Sequence, residues 1–321
     1  MIRAALLSAC GTRPTIAERP APVPADGEVA ITVEAVPITP LDVLCASGTS
    51  YFGTPATPYV PGVQGVGRLA DGTGVWFGTS AGMKPGVDGS MATTVAVPTA
   101  DVVALPPDVP LTLLAALGLS AVAAHAALTH SGGLAAGEQV IVLGAGGVVG
   151  QAAVQLALLS GARRVIAVTR SAAARSRAEE LGAAVSVPLL PDDDVASLAD
   201  RLRDAADGPV DLVLDPVFGV PAAAALRVLR PAGRLVNLGS AAGATAPIES
   251  AVLRSGSLRM IGYTNNALST EQRAASLTVV AGHAASGRLT VDHETVPFAS
   301  VTDAWSRQDN GTAAGRLVLA L

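Results

Sequence analysis

The chain contains few cysteines, few aromatic residues and no excess of positive charge. Its two cysteines, Cys10 and Cys45, are too few for a disulfide-stabilised scaffold or a four-cysteine zinc site. Lys and Arg number 21 against 26 Asp and Glu, so the clustered positive charge of a nucleic-acid-binding surface is missing. Aromatic residues make up 3% of the chain, and the core must therefore be built mainly from Ala, Val and Leu.

Long uninterrupted hydrophobic runs are also scarce. The stretch Leu7-Ser8-Ala9-Cys10 resembles a lipoprotein cleavage box, but the apolar run before it is shorter than the roughly 7–15 residues of the apolar core of a signal sequence. We expect a first β-strand there instead. Residues 111–128 approach the length of a membrane span, but Gly118, Ser120 and His125 interrupt them, which favours a buried helix. We expect a soluble, cytoplasmic protein that binds neither membrane nor nucleic acid.

The 321 residues are too many for one ordinary core. They divide into three consecutive segments that differ in composition. Residues 1–112 are rich in Val, Thr, Gly and Pro, as short strands and turns are. Residues 113–264 alternate alanine-rich stretches with β-branched runs, which predicts an α/β fold with a doubly wound parallel sheet. Residues 265–321 begin like a helix and end like a strand, and we expect them to complete the first domain. The predicted strands of the parallel sheet are 138–144, 163–169, 210–215, 233–239 and 258–263.

The strongest local signal is a glycine-rich stretch between a predicted strand and an apolar helix. Glycine permits a tight turn, lets the backbone approach a pyrophosphate, and allows helix and strand to pack closely. The helix N-terminus then offers N–H groups and a partial positive charge to the phosphate. A plain tight turn is the alternative, but the strand–turn–helix context favours a dinucleotide site. Its residues are Gly144, Ala145, Gly146, Gly147, Val148, Val149 and Gly150.

The end of the next predicted strand indicates which dinucleotide binds. NAD-binding units usually place an acid there, about 20 residues after the glycines, to hold the ribose 2′-hydroxyl. This chain has Thr169-Arg170-Ser171 followed by Arg175, and no acid before Glu179. Arginine cannot accept a hydrogen bond from a hydroxyl, but it pairs well with a 2′-phosphate. The sequence therefore predicts NADPH; the alternative is that these arginines are solvated charges on a helix face.

Two other chemistries find little support. The four histidines, His125, His130, His283 and His293, show no zinc-ligand spacing and no neighbouring cysteine pair. Residues 78–82 match the G-x-S-x-G pattern of a hydrolase nucleophile elbow around Ser80. An elbow needs a helix directly after the serine, whereas Met83-Lys84-Pro85-Gly86 favours a loop.

Taken together, these segments resemble the zinc-free, zeta-crystallin-like quinone oxidoreductase branch of the medium-chain dehydrogenase/reductase superfamily. The resemblance covers nearly the whole chain, through the order and spacing of its motifs. Residues 38–67 are similar to that branch's Asn-Pro-x-Asp…Gly…Pro-x-x-Pro-Gly segment, and residues 171–183 to its Ser-x-x-Lys…Leu-Gly-Ala stretch. The other matching segments are 142–157, 210–219, 229–239 and 315–321.

This resemblance implies a GroES-like substrate domain and a Rossmann domain, with cofactor and substrate in the cleft between them. It also implies a homodimer joined through the Rossmann sheet edges, and NADPH-dependent hydride transfer to a quinone or α,β-unsaturated carbonyl. The positions that hold the catalytic metal in zinc-dependent relatives here correspond to Thr39, Val63 and Gln64, which implies no metal. Thr39 and Gln64 also depart from the branch's usual Asn and acid, and residues 67–78 are shortened; these changes fall in the substrate domain and leave the cofactor assignment intact.

We predict a site with three sets of residues. Candidates to meet developing oxyanion charge are the hydroxyls of Tyr51, Thr39 and Ser120 and the amides of Asn237 and Asn265. Tyr51 is the first choice, because its phenol can also donate a proton, and Thr39 is included with it in the catalytic set. Residues predicted to line the substrate are Phe52, Tyr59, Phe218 and Asn237; the alternative for the aromatic ones is that they fill the core. Beyond the glycine-rich turn, the predicted cofactor contacts are Ser120, Thr169, Arg170, Ser171, Arg175, Asp215, Val217, Leu238, Gly239, Tyr263, Asn265 and Arg316.

Two other functions stay open at this point. An enoyl reductase acting on thioester-bound intermediates would need a basic approach for a phosphopantetheine arm, and residues 38–100 offer only Arg68 and Lys84. A non-catalytic NADPH-binding protein would bind the cofactor but oxidise it with no acceptor.

Overall fold

The computed structural model describes the whole chain, Met1–Leu321. Its contacts divide the chain into two compact units, one formed by Met1–Leu119 with Thr270–Leu321, the other by Ser120–Ser269. These divisions fall a few residues after the boundaries expected at 112 and 264. The predicted α/β fold class is confirmed, because one unit is built on a parallel sheet and the other is mostly antiparallel.

The first unit is a mostly-β body. A hairpin of two antiparallel strands lies beside a seven-stranded sheet with the order β14-β15-β3-β4-β5-β7, and β6 pairs with β3. The C-terminal strand therefore lies against a strand from the first forty residues. Its strands are β1 (Ile2–Leu6), β2 (Thr15–Arg19), β3 (Glu28–Pro37), β4 (Gln64–Arg68), β5 (Gly74–Gly78), β6 (Thr94–Pro98), β7 (Val102–Ala104), β14 (His293–Pro297) and β15 (Arg316–Ala320). Its helices are α1 (Pro40–Ser47), α8 (Thr270–Ala285) and α9 (Val301–Asp309).

The second unit is a six-stranded, all-parallel sheet with the order β10-β9-β8-β11-β12-β13. Numbered within the unit, this order is 3-2-1-4-5-6, that of dinucleotide-binding Rossmann folds. Its strands are β8 (Gln139–Leu143), β9 (Arg164–Thr169), β10 (Val185–Pro188), β11 (Val210–Asp215), β12 (Leu229–Asn237) and β13 (Arg259–Gly262). Its helices are α3 (Val148–Leu159), α4 (Ala172–Glu180), α5 (Val195–Ala205), α6 (Gly219–Leu226) and α7 (Ser250–Gly256).

All five strands predicted for the parallel sheet are confirmed. Strand β10 was not among them, because four residues that include a serine and a proline give little periodic signal. No helix follows Ser80: residues 81–86 form a turn in which Met83 N–H and Lys84 N–H both donate to the Ser80 carbonyl. The elbow geometry of a hydrolase is therefore not formed.

The apolar stretch near residue 120 forms helix α2 (Leu111–Ala126), which continues as a π-helical turn to Ser131. With the turn included it is long and apolar enough to cross a membrane, but 67% of its apolar 18-residue stretch is buried inside the protein, as in a core helix. Gly118 breaks the helix with φ 27° and ψ −129°. A Cβ on Gly118 would lie 2.0 Å from Gln64 Oε1, which accepts hydrogen bonds from Leu119 N–H at 2.7 Å and Trp76 Nε1 at 3.0 Å.

Candidate functional site at the ends of the parallel strands

The glycine-rich turn joins β8 to α3 through close contacts that leave no room for a side chain at Gly144, Gly146 or Gly150. Gly144 has φ +66°, a conformation that favours glycine. A Cβ on Gly150 would lie 2.3 Å from the Gly144 carbonyl oxygen, so α3 packs directly on the turn. A Cβ on Gly146 would lie 2.8 Å from Thr169 Oγ1. Ala145 is fully buried, and its N–H donates to Val168 O, which fastens the turn to β9.

The N-terminus of α3 suits an anion. Gly147 is the N-cap residue, and no side chain caps the helix there. The first N–H groups of a helix lack intrahelical acceptors, so those after Gly147, at Val148 and Val149, have none within the helix. Gln151, 4% exposed, donates from Nε2 to the Gly146 carbonyl and braces the turn. The sequence prediction missed Gln151, although Gln151 and Gln155 are the two polar side chains of an otherwise apolar helix and were a usable signal.

The end of β9 carries two arginines without acidic partners. Thr169 is buried, whereas Arg170 is exposed and makes no side-chain hydrogen bond or ion pair. Arg175 Nη1 donates only to the Arg170 carbonyl, at 3.1 Å. Ser171 is the N-cap of α4 and accepts from Ala174 N–H at 3.1 Å. Neighbouring Arg177 differs, because it forms an ion pair with Glu180.

The end of β11 is organised by one carboxylate. Asp215 is fully buried; its Oδ1 accepts from Val217 N–H at 3.0 Å and Phe218 N–H at 2.7 Å, and its Oδ2 accepts from Asn237 Nδ2 at 2.9 Å. Burial raises the pKa of the Asp215 carboxyl above its usual range, although these donors act in the opposite direction. The carboxylate shapes this loop and is shielded from solvent, so it does not present itself to a ligand.

The ends of β12 and β13 lie beside Asp215. Leu238 N–H donates to Asp215 O at 2.9 Å, and Asn237 Nδ2 also donates to Gly239 O at 2.8 Å. Tyr263 N–H donates to Asn237 O, and its phenol donates to Asn265 Oδ1 at 2.7 Å. The structure thus brings together the predicted residues that follow β11, β12 and β13. Ser120 is half-buried in α2.

In the first unit, Thr39 serves as a helix cap. Its hydroxyl accepts from Asp42 N–H, and its own N–H donates to Asp42 Oδ2 at 2.7 Å, which forms a capping box at the start of α1. The hydroxyl also donates to Asp42 Oδ2 at 2.6 Å. The other Asp42 oxygen accepts from Val63 N–H at 2.9 Å. Because the Thr39 proton is held by Asp42, this geometry counts against Thr39 as a proton donor to substrate.

Arg316, predicted as a cofactor contact, is 5% exposed and donates from Nη1 to the Ile38 carbonyl at 3.0 Å. Its burial lowers the pKa of the guanidinium to about 10, although the Asp42 charge acts in the opposite direction. These contacts give Arg316 a structural role within the first unit.

The aromatic residues divide into exposed and buried groups. Tyr51 is 77% exposed, and its ring centroid lies 4.2 Å from that of half-buried Phe52. Tyr59 is 4% exposed and belongs to the core of the first unit, so the prediction that it lines the substrate gives way to a packing role. Trp76 and Phe77 are likewise fully buried.

The positions that correspond to metal ligands do not fit a zinc ion. Thr39 caps a helix, Val63 is apolar, and the Gln64 oxygen already accepts two hydrogen bonds. No group of three or more His, Cys, Asp or Glu side chains is placed to hold a metal.

Comparison with known proteins agrees with this arrangement. The model of a family described as "Zinc-binding dehydrogenase" matches residues 148–279. Rat synaptic vesicle membrane protein VAT-1 homolog is 31% identical over 235 residues, 71% of this chain and 56% of that protein. Quinone oxidoreductase from Pongo abelii is 35% identical over 144 residues, 44% of each chain. A phenolphthiocerol/phthiocerol polyketide synthase polypeptide from Mycobacterium tuberculosis is 29% identical over 313 residues, 93% of this chain and 14% of that protein.

Solved structures match along the whole chain. A mycobacterial quinone oxidoreductase has a TM-score of 0.88 and 23% identity, covering 100% of both chains. The quinone oxidoreductase of Thermus thermophilus, also solved with NADPH, has a TM-score of 0.80 and 28% identity, covering 99% of this chain and 100% of its own.

The strand order and the glycine-rich turn define a Rossmann fold of the dinucleotide-binding type. The chain resembles quinone oxidoreductases of the medium-chain dehydrogenase/reductase superfamily in its fold and in part of its sequence. It spans about half the length of the VAT-1 relatives that it matches.

Proposed function

We propose that this protein is an NADPH-dependent reductase that transfers hydride to a quinone or an α,β-unsaturated carbonyl without a metal ion. The observation that carries the proposal is the pair Arg170 and Arg175, which follow the strand next to the glycine-rich turn and have no acidic partner. Two unpaired guanidinium groups there suit a 2′-phosphate. The Thermus thermophilus enzyme, solved with NADPH, supports the same cofactor.

When bound, NADPH would supply the hydride, and the chain's own residues would bind and orient the reactants. The main-chain amides of Val148 and Val149 would hold the pyrophosphate at the start of α3, and Arg170 and Arg175 would hold the 2′-phosphate. Tyr51 delivers the proton that balances the hydride, since its phenol is exposed and has no hydrogen-bond partner. Metal independence is part of the proposal because the donor set at Thr39, Val63 and Gln64 does not suit zinc.

The cofactor assignment is tested by Arg170→Asp. A charge-assisted hydrogen bond is worth about 1.5–3 kcal/mol, so we expect kcat/KM for NADPH to fall at least about tenfold while that for NADH does not fall. Steady-state kinetics with both cofactors measures this. Arg254→Asp is the control, because Arg254 lies in α7 and its side chain donates only to Ser250 Oγ. A native enzyme that prefers NADH would end the assignment.

The proton donor is tested by Tyr51→Phe, which removes only the hydroxyl. General acid catalysis contributes about 10²–10⁴-fold, so we expect kcat to fall about 100-fold with an enone acceptor. The affinity for NADPH, measured by nicotinamide fluorescence, should stay unchanged. Full turnover of the variant on every acceptor tried would remove Tyr51 from the mechanism.

An enoyl reductase acting on thioester-bound intermediates is the second candidate. The match to the polyketide synthase over 93% of this chain favours it. Against it, Arg68 already pairs with Glu34 at 2.7 Å, which leaves Lys84 as the one cation in residues 38–100 without an acidic partner. Assays with quinones, enones and enoyl thioesters, following absorbance at the reduced nicotinamide band, separate the two functions. A protein that binds NADPH and oxidises it with none of them has a non-catalytic role.

We also propose a soluble, cytoplasmic homodimer joined through the outer edge of the parallel sheet. Strand β13 is the end strand of that sheet, and Met260 on it is 37% exposed. An unpaired strand edge is a template for pairing with a second chain. Sedimentation should give twice the chain mass for the native protein and the monomer mass for Met260→Glu. A native monomer at micromolar concentration would contradict the dimer.

A further inference from the structure

Phe218 has a backbone conformation that side-chain-bearing residues rarely adopt. Its φ is 57° and its ψ is −155°, at the border of a region that is populated almost only by glycine. Ser257 also has a positive φ, but its φ of 49° and ψ of 41° lie in the left-handed helical region that other residues can enter. Phe218 is therefore strained in a way that Ser257 is not.

The surrounding loop determines this conformation from several sides. Asp215 Oδ1 accepts from both Val217 N–H and Phe218 N–H, and Asn237 fixes the other carboxylate oxygen. Ala242 N–H donates to Val217 O at 2.7 Å. Strained residues persist where neighbours fix them in this way, and they cluster at sites that bind ligands.

The loop also touches the nucleotide turn. A Cβ on Gly144 would lie 2.7 Å from Val217 Cγ1, so the residue before Phe218 packs against the first glycine of that turn. The Phe218 ring is half-buried against the core of the parallel-sheet unit and keeps part of its surface exposed. In open α/β sheets, ligands bind beyond these carboxyl ends of the strands.

We propose that Phe218 is a specificity-determining residue whose ring stacks on a flat aromatic acceptor. Glycine would adopt this backbone conformation without strain, so the ring itself must justify the phenylalanine. This inference rests on the proposed reductase function and adds the acceptor's shape: a planar ring system is preferred over a small acyclic enone. The competing explanation is that the ring only packs against the core.

Comparing Phe218→Ala with Phe218→Gly measures the backbone strain separately from the effect of the ring, because both variants lack the ring. We expect the glycine variant to melt at the higher temperature, because it relaxes the backbone. The matched control is Ala173→Gly at an exposed position of α4, where glycine should lower the melting temperature as it does in ordinary helices. A glycine variant at 218 that is less stable than the alanine variant would overturn the assignment of strain.

The ring's role is measured with 1,4-naphthoquinone and methyl vinyl ketone as acceptors. Aromatic pairs contribute about 0.5–1.5 kcal/mol, so we expect both Phe218 variants to lose roughly two- to tenfold in the ratio of kcat/KM for naphthoquinone to that for the enone. Affinity for NADPH should change less than about twofold, because the nucleotide turn is untouched. Phe298→Leu, in the core of the other unit, should leave the ratio unchanged.

Calorimetric titration of naphthoquinone into the protein with NADP⁺ distinguishes failure of this inference from failure of the proposed function. If the native protein binds naphthoquinone but turns over no acceptor, loss of binding in Phe218→Gly supports the ring's role while the reductase function fails. Native-like binding or an unchanged acceptor ratio in both variants overturns the inference, as does a native protein that does not bind naphthoquinone at all.

Discussion

Gly150→Ala should lower the free energy of unfolding by about 3 kcal/mol and abolish NADPH binding at concentrations that saturate the native protein. The new Cβ would lie 2.3 Å from Gly144 O and 2.6 Å from Ala145 Cα. Both atoms belong to the backbone, so neither can rotate away, and α3 must move off the turn. Urea denaturation measures the stability loss, and nicotinamide fluorescence measures binding.

The matched control is Gly147→Ala in the same turn. Gly147 has φ −83°, and a Cβ there would meet nothing closer than Gly144 O at 3.7 Å. We expect its stability to stay within about 0.5 kcal/mol of the native value. If the two variants lose the same stability, close packing at Gly150 is not what shapes the turn.

Arg234→Met should lower the free energy of unfolding by about 3–5 kcal/mol, because it leaves a buried charge without its partner. The Arg234 side chain is 4% exposed and forms a bidentate ion pair with Glu138, with distances of 2.7 Å and 2.5 Å. It also donates to the carbonyls of Gly132, Gly133 and Asp211. The measurement is urea denaturation at pH 7. Arg203→Met, which breaks the exposed pair of Arg203 with Asp200, should cost less than about 1 kcal/mol.

The pH dependence gives a second readout of the same pair. Burial acts to raise the pKa of the Glu138 carboxyl, but hydrogen bonds and charge from Arg234 outweigh it and hold the pKa below the usual 4.5. A lowered folded-state pKa contributes stability above pH 4.5 and loses it as pH falls through the folded value. The difference in free energy of unfolding between the native protein and Arg234→Met should therefore shrink as the pH falls below 4.5. A difference that stays constant down to about pH 3 would contradict this assignment.

Regular patterns in the sequence predicted most of the second unit. Short β-branched runs separated by alanine-rich stretches gave five of the six parallel strands, and glycine spacing located the turn before α3. The kink at Gly118 was beyond prediction, because it depends on contact with Gln64, fifty-four residues earlier in the chain. The Arg234 network likewise joins residues about a hundred positions apart.

For the candidate site, the type of a residue predicted where it lies better than it predicted what its side chain does. Thr39 and Arg316 lie where polar residues were expected to matter, yet their side chains bond to Asp42 and to the Ile38 carbonyl. Tyr59 has an aromatic side chain of the kind that stacks on ligands, but it is packed in the core of the first unit. A sequence shows neither which partner a side chain meets first nor that Phe218 adopts a glycine-like conformation.

The separation between the glycine-rich turn and the arginines after β9 has an evolutionary consequence. In the proposed function the turn would hold its ligand with main-chain groups, and these are fixed by the packing of α3, so few substitutions there are compatible with folding. The side chains of Arg170 and Arg175 form no ion pair. Their one hydrogen bond within the fold runs from Arg175 Nη1 to the Arg170 carbonyl. Coenzyme choice can therefore drift between lineages at little cost in stability, whereas the capacity to hold a dinucleotide is inherited with the architecture itself.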